Sequence, residues 1–181
     1  MTMSDAVKRE IKEWIQTLVV ALALALVVRT FIVAAFKIPT GSMRPTLMEG
    51  DKIFVNKFIY RFHEPARGDV IVFKYPENPK KDYVKRLIGF GGEELEIKDG
   101  KVWVDGQPLD RLPFTKVYYY NRGPYGGEGQ KVKVPPNSLF ALGDNSANSR
   151  DSREWGFVPR KNLVGKAFVI WWPPTRIHKI E

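Results

Sequence analysis

"DVIVFKY" (69–75) and "YVKRLIGF" (83–90) decide how this chain folds. Both are rich in β-branched and aromatic residues and are bounded by turn signals, so they read as strands. Strand side chains alternate faces. Lys85 therefore shares one face with Tyr83 and Leu87, while Arg86 points the other way with Val84 and Ile88. Outward from this pair the β pattern continues. "KIFVNKFIY" (52–60), "KVKVP" (131–135), "SLFALG" (138–143) and "KAFVIWW" (166–172) read as strands, and "EELEIKDGKVWVDG" (93–106) as a hairpin turning at Asp99-Gly100. Residues 121–130, "NRGPYGGEGQ", form a Gly-rich loop. No long amphipathic helix, internal repeat or low-complexity tail follows residue 37. The expected fold is mostly β: one N-terminal transmembrane helix followed by an all-β domain.

That helix is expected over 14–36, "WIQTLVVALALALVVRTFIVAAF". At about 1.5 Å per residue, such a stretch covers a hydrocarbon core of about 30 Å. Arg29 lies near one end, where its side chain can reach the interface, and Trp14 suits the opposite interface. The competing reading is a cleaved signal peptide, with Lys8, Arg9 and Lys12 as its basic start and "VAA" (33–35) as a cleavage site. The resumption of apolar sequence after Arg29 favours a retained anchor. Both readings send the remainder across the membrane. The expected domains are a cytoplasmic segment 1–13, the anchor 14–36 and an extracytoplasmic domain 37–181.

The 181 residues carry a formal charge of +9, of which the first 36 contribute four basic minus three acidic, or +1. The cations are spread along the chain with no nucleic-acid motif, so an anionic lipid surface is the expected partner rather than nucleic acid. There are no cysteines and two histidines. That excludes disulfides, thiolate metal sites and a histidine-rich metal centre, and neither a metal nor a cofactor is expected.

Directly after the apolar run comes "IPTGSMRPTL" (38–47), in which Pro39 and Pro45 bracket Gly41-Ser42. Pro restricts φ and Gly permits geometry that other residues avoid, so the turn is built to hold Ser42. A serine hydroxyl attacks only when a base takes its proton. His63 sits in a polar connector and His178 three residues from the C-terminus, so both read as surface residues. A lysine serves if burial strips its charge, and Lys85 lies on a strand with one apolar face. A plain surface lysine fits the same pattern. "GDNSANSRDSR" (143–153) alone reads as a polar loop.

Taken together, "PTGSMRPTL", "GDKIFVNK" (50–57), "RGDVIVFKYP" with "DYVKRLIG", and "GDNSANSRDSR" resemble, in order, the boxes of bacterial type I signal peptidases, membrane-anchored Ser/Lys proteases. Only residues 91–136 lack a strong box, and they correspond to a variable β insert in that family. The resemblance implies Ser42 as nucleophile and Lys85 as general base. It implies an oxyanion hole from the Ser42 N–H and the Thr40 hydroxyl, with Ser149 hydrogen-bonded to Lys85 to aim it. It implies supporting ion pairs Asp144–Arg86 and Asp151–Arg153. Thr40 stands where many relatives have Ser, and Ser146 and Ala147 where relatives are often charged.

The implied substrates are exported preproteins, cut after small residues at −1 and −3 at the outer face of the cytoplasmic membrane. They would bind extended along strand edges near 38–42 and 82–85. Exposed Phe36, Ile38, Trp171 and Trp172 could dip into the interface, with core burial the expected alternative for at least one of the tryptophans; self-processing near Ala35 is open, and a monomer is expected. The rivals are a Ser/Lys peptidase that matures one exported protein and a non-enzymatic, membrane-tethered β module.

Overall fold

The computed structural model describes residues 5–27 and 33–181. Helix α1 (Asp5–Val27) precedes strands β1 (Val33–Lys37), β2 (Lys52–Asn56), β3 (Val70–Tyr75), β4 (Asn78–Phe90), β5 (Glu94–Lys98), β6 (Lys101–Val104), β7 (Gln107–Pro108), β8 (Lys131–Lys133) and β9 (Ser138–Leu142). A single helical turn, α2 (Ser152–Trp155), leads to β10 (Val158–Pro159), β11 (Leu163–Trp172) and β12 (His178–Lys179). The larger sheet runs β1-β2-β11-β3-β4-β9-β10, with β12 against β11. The smaller, β7-β6-β5-β8, falls within the segment expected to be an insert.

β3 is buried on both faces, which is why it reads as an unbroken apolar run. Val70 and Val72 pack with Ile53, Val55, Ala167, Ile170, Met43 and Leu47. Ile71 and Phe73 pack on the opposite side with Leu87, Ala141 and Trp155. A third cluster joins the sheets: Ile88, Phe140 and Leu142 meet Leu95, Ile97, Val102 and Val104. The β5–β6 hairpin turns at Asp99 (φ 53°) and Gly100 (φ 73°), the pair of left-handed residues that a two-residue loop requires.

Two strand boundaries depart from the sequence reading. β4 starts at Asn78, so Pro79, Lys80 and Lys81 are strand rather than connector. The strand expected over 52–60 stops at Asn56. The Asn56 side chain accepts the N–H groups of Phe58 and Ile59 at 2.9 and 3.0 Å, and the chain turns into a 3-10 turn, Ile59–Arg61.

The largest correction concerns 14–36, which is not one helix. α1 extends to Val27, and Val33–Lys37 forms an edge strand paired antiparallel with β2. Antiparallel pairing with β2 makes these apolar residues strand, although "VAAF" reads as membrane sequence. Among the described residues no helix is long and apolar enough to cross a membrane, because charged sequence fills the first turns of α1. Residues 1–4 and 28–32, including Arg29, lie outside the described residues.

Among the described residues, the open edges of β1 and β4 lie beside each other. β1 ends the larger sheet. β4 pairs with β3 from Asn78 to Arg86 but meets β9 only from Arg86 onward, so Asp82–Lys85 keeps one side open.

Gly165 fixes how closely β11 approaches β2. A Cβ there would lie 2.3 Å from the Asn56 carbonyl oxygen and 3.0 Å from Lys57 Cα. Gly165→Ala is expected to cost about 1–3 kcal/mol by overpacking, read as a lower urea midpoint with an unchanged m-value.

Candidate active site

The two open edges enclose a cleft of about 360 Å³ lined by Phe36–Thr40, Ser42, Met43, Asp82–Lys85, Asn148 and Arg150. Ser42 sits in a 3-10 turn, Gly41–Met43, anchored by buried Met43. Thr40 precedes the turn in extended conformation, and its hydroxyl does not cap it. Lys85 Nζ lies 2.7 Å from Ser42 Oγ and donates to the Val84 carbonyl at 3.0 Å. The Tyr83 ring lies 5.6 Å from the same nitrogen. Lys85 is 4% exposed.

Burial pulls the Lys85 ammonium down to about 8, against the opposing pull of Asp151 and then Asp144. Burial wins because each carboxylate is held by its own arginine. Arg86 donates to Asp144 through Nε (2.8 Å) and Nη2 (2.6 Å), and Arg153 donates to Asp151 in the same forked way at 2.8 and 2.7 Å. Both pairs are fully enclosed. Arg86 also donates to the carbonyls of Gly68 and Glu181, and Thr46 donates to Asp144 at 2.5 Å. Asp151 accepts the Gly143 N–H at 3.0 Å.

The structure therefore brings Ser42, Lys85, Arg86, Asp144, Asp151 and Arg153 together around one cleft, with Thr40 on its rim. Ser149 is the exception. It is buried close by, but its hydroxyl makes no hydrogen bond, so the expected bond to Lys85 is absent. The lysine amine is directed to Ser42 and the Val84 carbonyl instead, and the Ser149 hydroxyl lies against Gly143. A Cβ on Gly143 would come within 2.1 Å of that hydroxyl and 2.4 Å of the Ser42 carbonyl. Ile38, expected at the surface, is buried. His63 and His178 are exposed and neither lines the cleft.

Sequence reasoning missed three supports. Asn145 clamps the serine turn, its backbone N–H donating to the Ser42 carbonyl at 3.1 Å and its side-chain amide to the Gly41 carbonyl at 2.9 Å. Thr46 ties the same turn to Asp144. Arg122, in the Gly-rich loop, donates to the carbonyls of Ala147 and Ser149. Gly123 (φ 69°) lets that loop press on Arg153, whose carbonyl oxygen would sit 2.2 Å from a Cβ. The density of Asn, Asp and Ser in 143–153 was the available signal, but it does not say which partner each side chain finds.

A buried, weakly basic lysine against a serine, between two open strand edges, is an arrangement suited to hydrolysing an extended peptide. Comparison with known proteins agrees. The family model for signal peptidase, peptidase S26, matches residues 11–172. The chain is 41% identical to signal peptidase I of Leptolyngbya laminosa, over 93% of this chain and 83% of that protein. It is 40% identical to probable signal peptidase I-2 of Synechocystis sp., over 90% and 73% respectively. It is 35% identical to signal peptidase I of Aquifex aeolicus, over 89% and 84%. The chain belongs to the signal peptidase family and is a serine peptidase of that family.

The buried lysine has a cost that titrates. Its folded pKa of about 8 lies below the ordinary 10.5, so the penalty for burying its charge is complete below pH 8 and fades as pH rises to 10.5. Lys85→Met is therefore expected to be more stable than the parent at pH 6–7 by about 3 kcal/mol. The gain should disappear towards pH 10.5, as read by urea unfolding across that range.

Proposed function

We propose that the chain removes signal peptides from exported preproteins through a Ser42–Lys85 dyad. The observation that carries this reading is the 2.7 Å approach of Lys85 Nζ to Ser42 Oγ at a site where burial disfavours the ammonium. Neutral Lys85 takes the Ser42 proton as Oγ attacks the scissile carbonyl carbon. The oxygen of the tetrahedral intermediate is stabilised by the Ser42 N–H, at the start of a helical turn, and by the Thr40 hydroxyl. The ammonium then returns its proton to the departing amine, leaving an acyl-Ser42 ester. Neutral again, Lys85 deprotonates a water that releases the signal peptide and regenerates Ser42. The paired charges Arg86–Asp144 and Arg153–Asp151 weaken the pull by which the two carboxylates would hold the lysine in its ammonium form, and Asn145 positions the serine turn.

The substrate lies extended between β1 and Asp82–Lys85, adding main-chain bonds to both open edges. Ile38, Met43, Tyr83 and Val84 offer an apolar wall suited to small side chains at −1 and −3. The chain acts as a monomer at the outer face of the cytoplasmic membrane, held by the apolar segment that begins at Trp14. Exposed apolar side chains all round α1, among them Trp14, Leu18, Val20, Leu22 and Leu26, support this. So do half-exposed Trp172 and the Phe54–Trp171 stack beside it.

Ser42→Ala and Lys85→Ala are each expected to lower kcat/KM on a detergent-solubilised preprotein by at least about a thousandfold while remaining folded. The parent's kcat/KM should rise with pH through an apparent pKa near 8 as Lys85 loses its proton. Full activity at pH 6, or in either variant, would eliminate the dyad. Asn145→Ala is expected to lower kcat about 10–100-fold with little change in KM, because it loosens the serine without touching substrate. The same pH midpoint should persist, which separates misplacement of the serine from a perturbed base.

A further inference from the structure

The two walls of the cleft each have an apolar face and a polar one. Phe36 and Ile38, at the end of β1, and Val84 on β4 belong to one cluster with Ile53, Val55, Val70 and Val72. That cluster joins both ends of the run β1-β2-β11-β3-β4, so this part of the sheet curls round it. Tyr83 belongs to the cluster on the other side of β3, with Phe73 and Tyr75. Lys37 stands between Phe36 and Ile38. By strand alternation it points away from the first cluster, and it is exposed. Lys52, its partner in register on β2, adds a second cation to that outer face.

A third cation reaches the cleft from the same outer side. Arg150, in the polar turn before α2, lines the cleft together with Lys37. Its guanidinium lies 5.9 Å over the Tyr75 ring, and Tyr75 stacks on Tyr83 at 4.3 Å with the planes 4° apart. Arg150 pairs with Glu77 at 3.1 Å, but the two side chains are 63% and 54% exposed. Such a pair in water is weak and can be exchanged. Asp82, the acidic residue that lines the cleft, shares a β4 face with Val84 and is held by Lys74 at 2.8 Å. The outer rim of the cleft is therefore positive, and the mechanism above uses neither Lys37 nor Arg150.

We propose that Lys37 and Arg150 are specificity-determining residues that select an acidic side chain at position −2 of the preprotein. The inference rests on the signal-peptide reading above and adds a preference at a position that the apolar wall does not read. A substrate strand that pairs with both open edges continues the sheet, and paired residues point their side chains to a common face. Small side chains at −1 and −3 that enter the apolar wall share the face of Phe36, Ile38 and Val84. The −2 side chain lies between them and so shares the face of Lys37 and Tyr83, beside Arg150. An acidic group there replaces Glu77 as the partner of Arg150 and gains Lys37 as well. A basic group meets like charge from both.

The full chain in detergent would be given one preprotein with alanine at −1 and −3 and with glutamate, glutamine or lysine at −2. The quantity read is the ratio of kcat/KM between these versions, which cancels any general loss of activity in a variant. The parent is expected to favour the glutamate over the lysine version about five- to tenfold, the scale of an exposed ion pair gained against a like-charge contact, with glutamine between them. High salt should compress the ratio. Arg150→Glu combined with Lys37→Glu should invert it. Glu77→Gln, which releases Arg150, should widen it.

Equal cleavage of all three versions by the parent would overturn the rim selection and leave signal-peptide removal standing. A preference that persists unchanged in the doubly reversed variant would also overturn it, since other charges would then read the substrate. So would a preference that appears only when the acidic residue is moved to +1. Failure to cut any version would overturn the signal-peptide reading, and this selection with it.

Discussion

Lys85 and Arg86 are neighbours on one strand and must meet opposite electrostatic requirements. In the proposed role of base the first works only if it can lose its proton, whereas the second forms an ion pair in a fully enclosed site. The fold reconciles them by using the alternation of strand faces. Lys85 faces Ser42 and the Tyr83 ring, away from any free carboxylate. Arg86 faces Asp144, which it holds with two hydrogen bonds. A buried carboxylate without its own cation would raise the lysine pKa and keep it protonated. The two arginine–carboxylate pairs act less as struts than as a means of removing Asp144 and Asp151 from competition for Lys85.

The same pairs assemble the cleft. Arg86 reaches the Gly68 and Glu181 carbonyls, Thr46 joins Asp144 to the serine turn, and Arg153 reaches the Tyr120 carbonyl and Ser146. Segments from beside the serine turn, from the C-terminus and from the connection between β7 and β8 therefore converge on two buried ion pairs. Removing one partner of such a pair leaves an uncompensated charge and costs about 3–5 kcal/mol. Loss of a single carboxylate would thus disturb several walls of the cleft together. The Gly-rich loop belongs to this framework: Arg122 and Gly123 bring it against the polar turn that carries Ser149 and Arg153.

β1 is the next described element after α1, so under the proposed membrane placement it would couple attachment to catalysis. The strand that begins near the apolar helix supplies one wall of the cleft, and the serine turn follows it within five residues. A cleft built on an open strand edge invites aggregation unless it is short or covered. Here β1 is five residues long, and the facing edge on β4 is interrupted by charge at Asp82 and Lys85.

Much was legible in sequence because it depends on local periodicity. Runs of β-branched and aromatic residues bounded by turn signals marked β3, β4, β9 and β11, Asp99-Gly100 marked its hairpin, and the face shared by Tyr83, Lys85 and Leu87 followed from the strand period of two. The ordered boxes also brought Ser42, Lys85, Asp144 and Asp151 forward as a group. What the sequence could not decide was which of two environments would claim an apolar run or a polar side chain. Residues 33–36 are as apolar as a membrane segment, yet pairing with β2 makes them strand. Ser149 and Asn145 are similar polar residues in one loop. Tertiary packing alone leaves the Ser149 hydroxyl without a hydrogen bond and sets Asn145 against the Ser42 carbonyl. Lysine basicity was likewise a tertiary outcome, because it depends on enclosure and on which cation each carboxylate faces, and both are set by residues far apart in the chain.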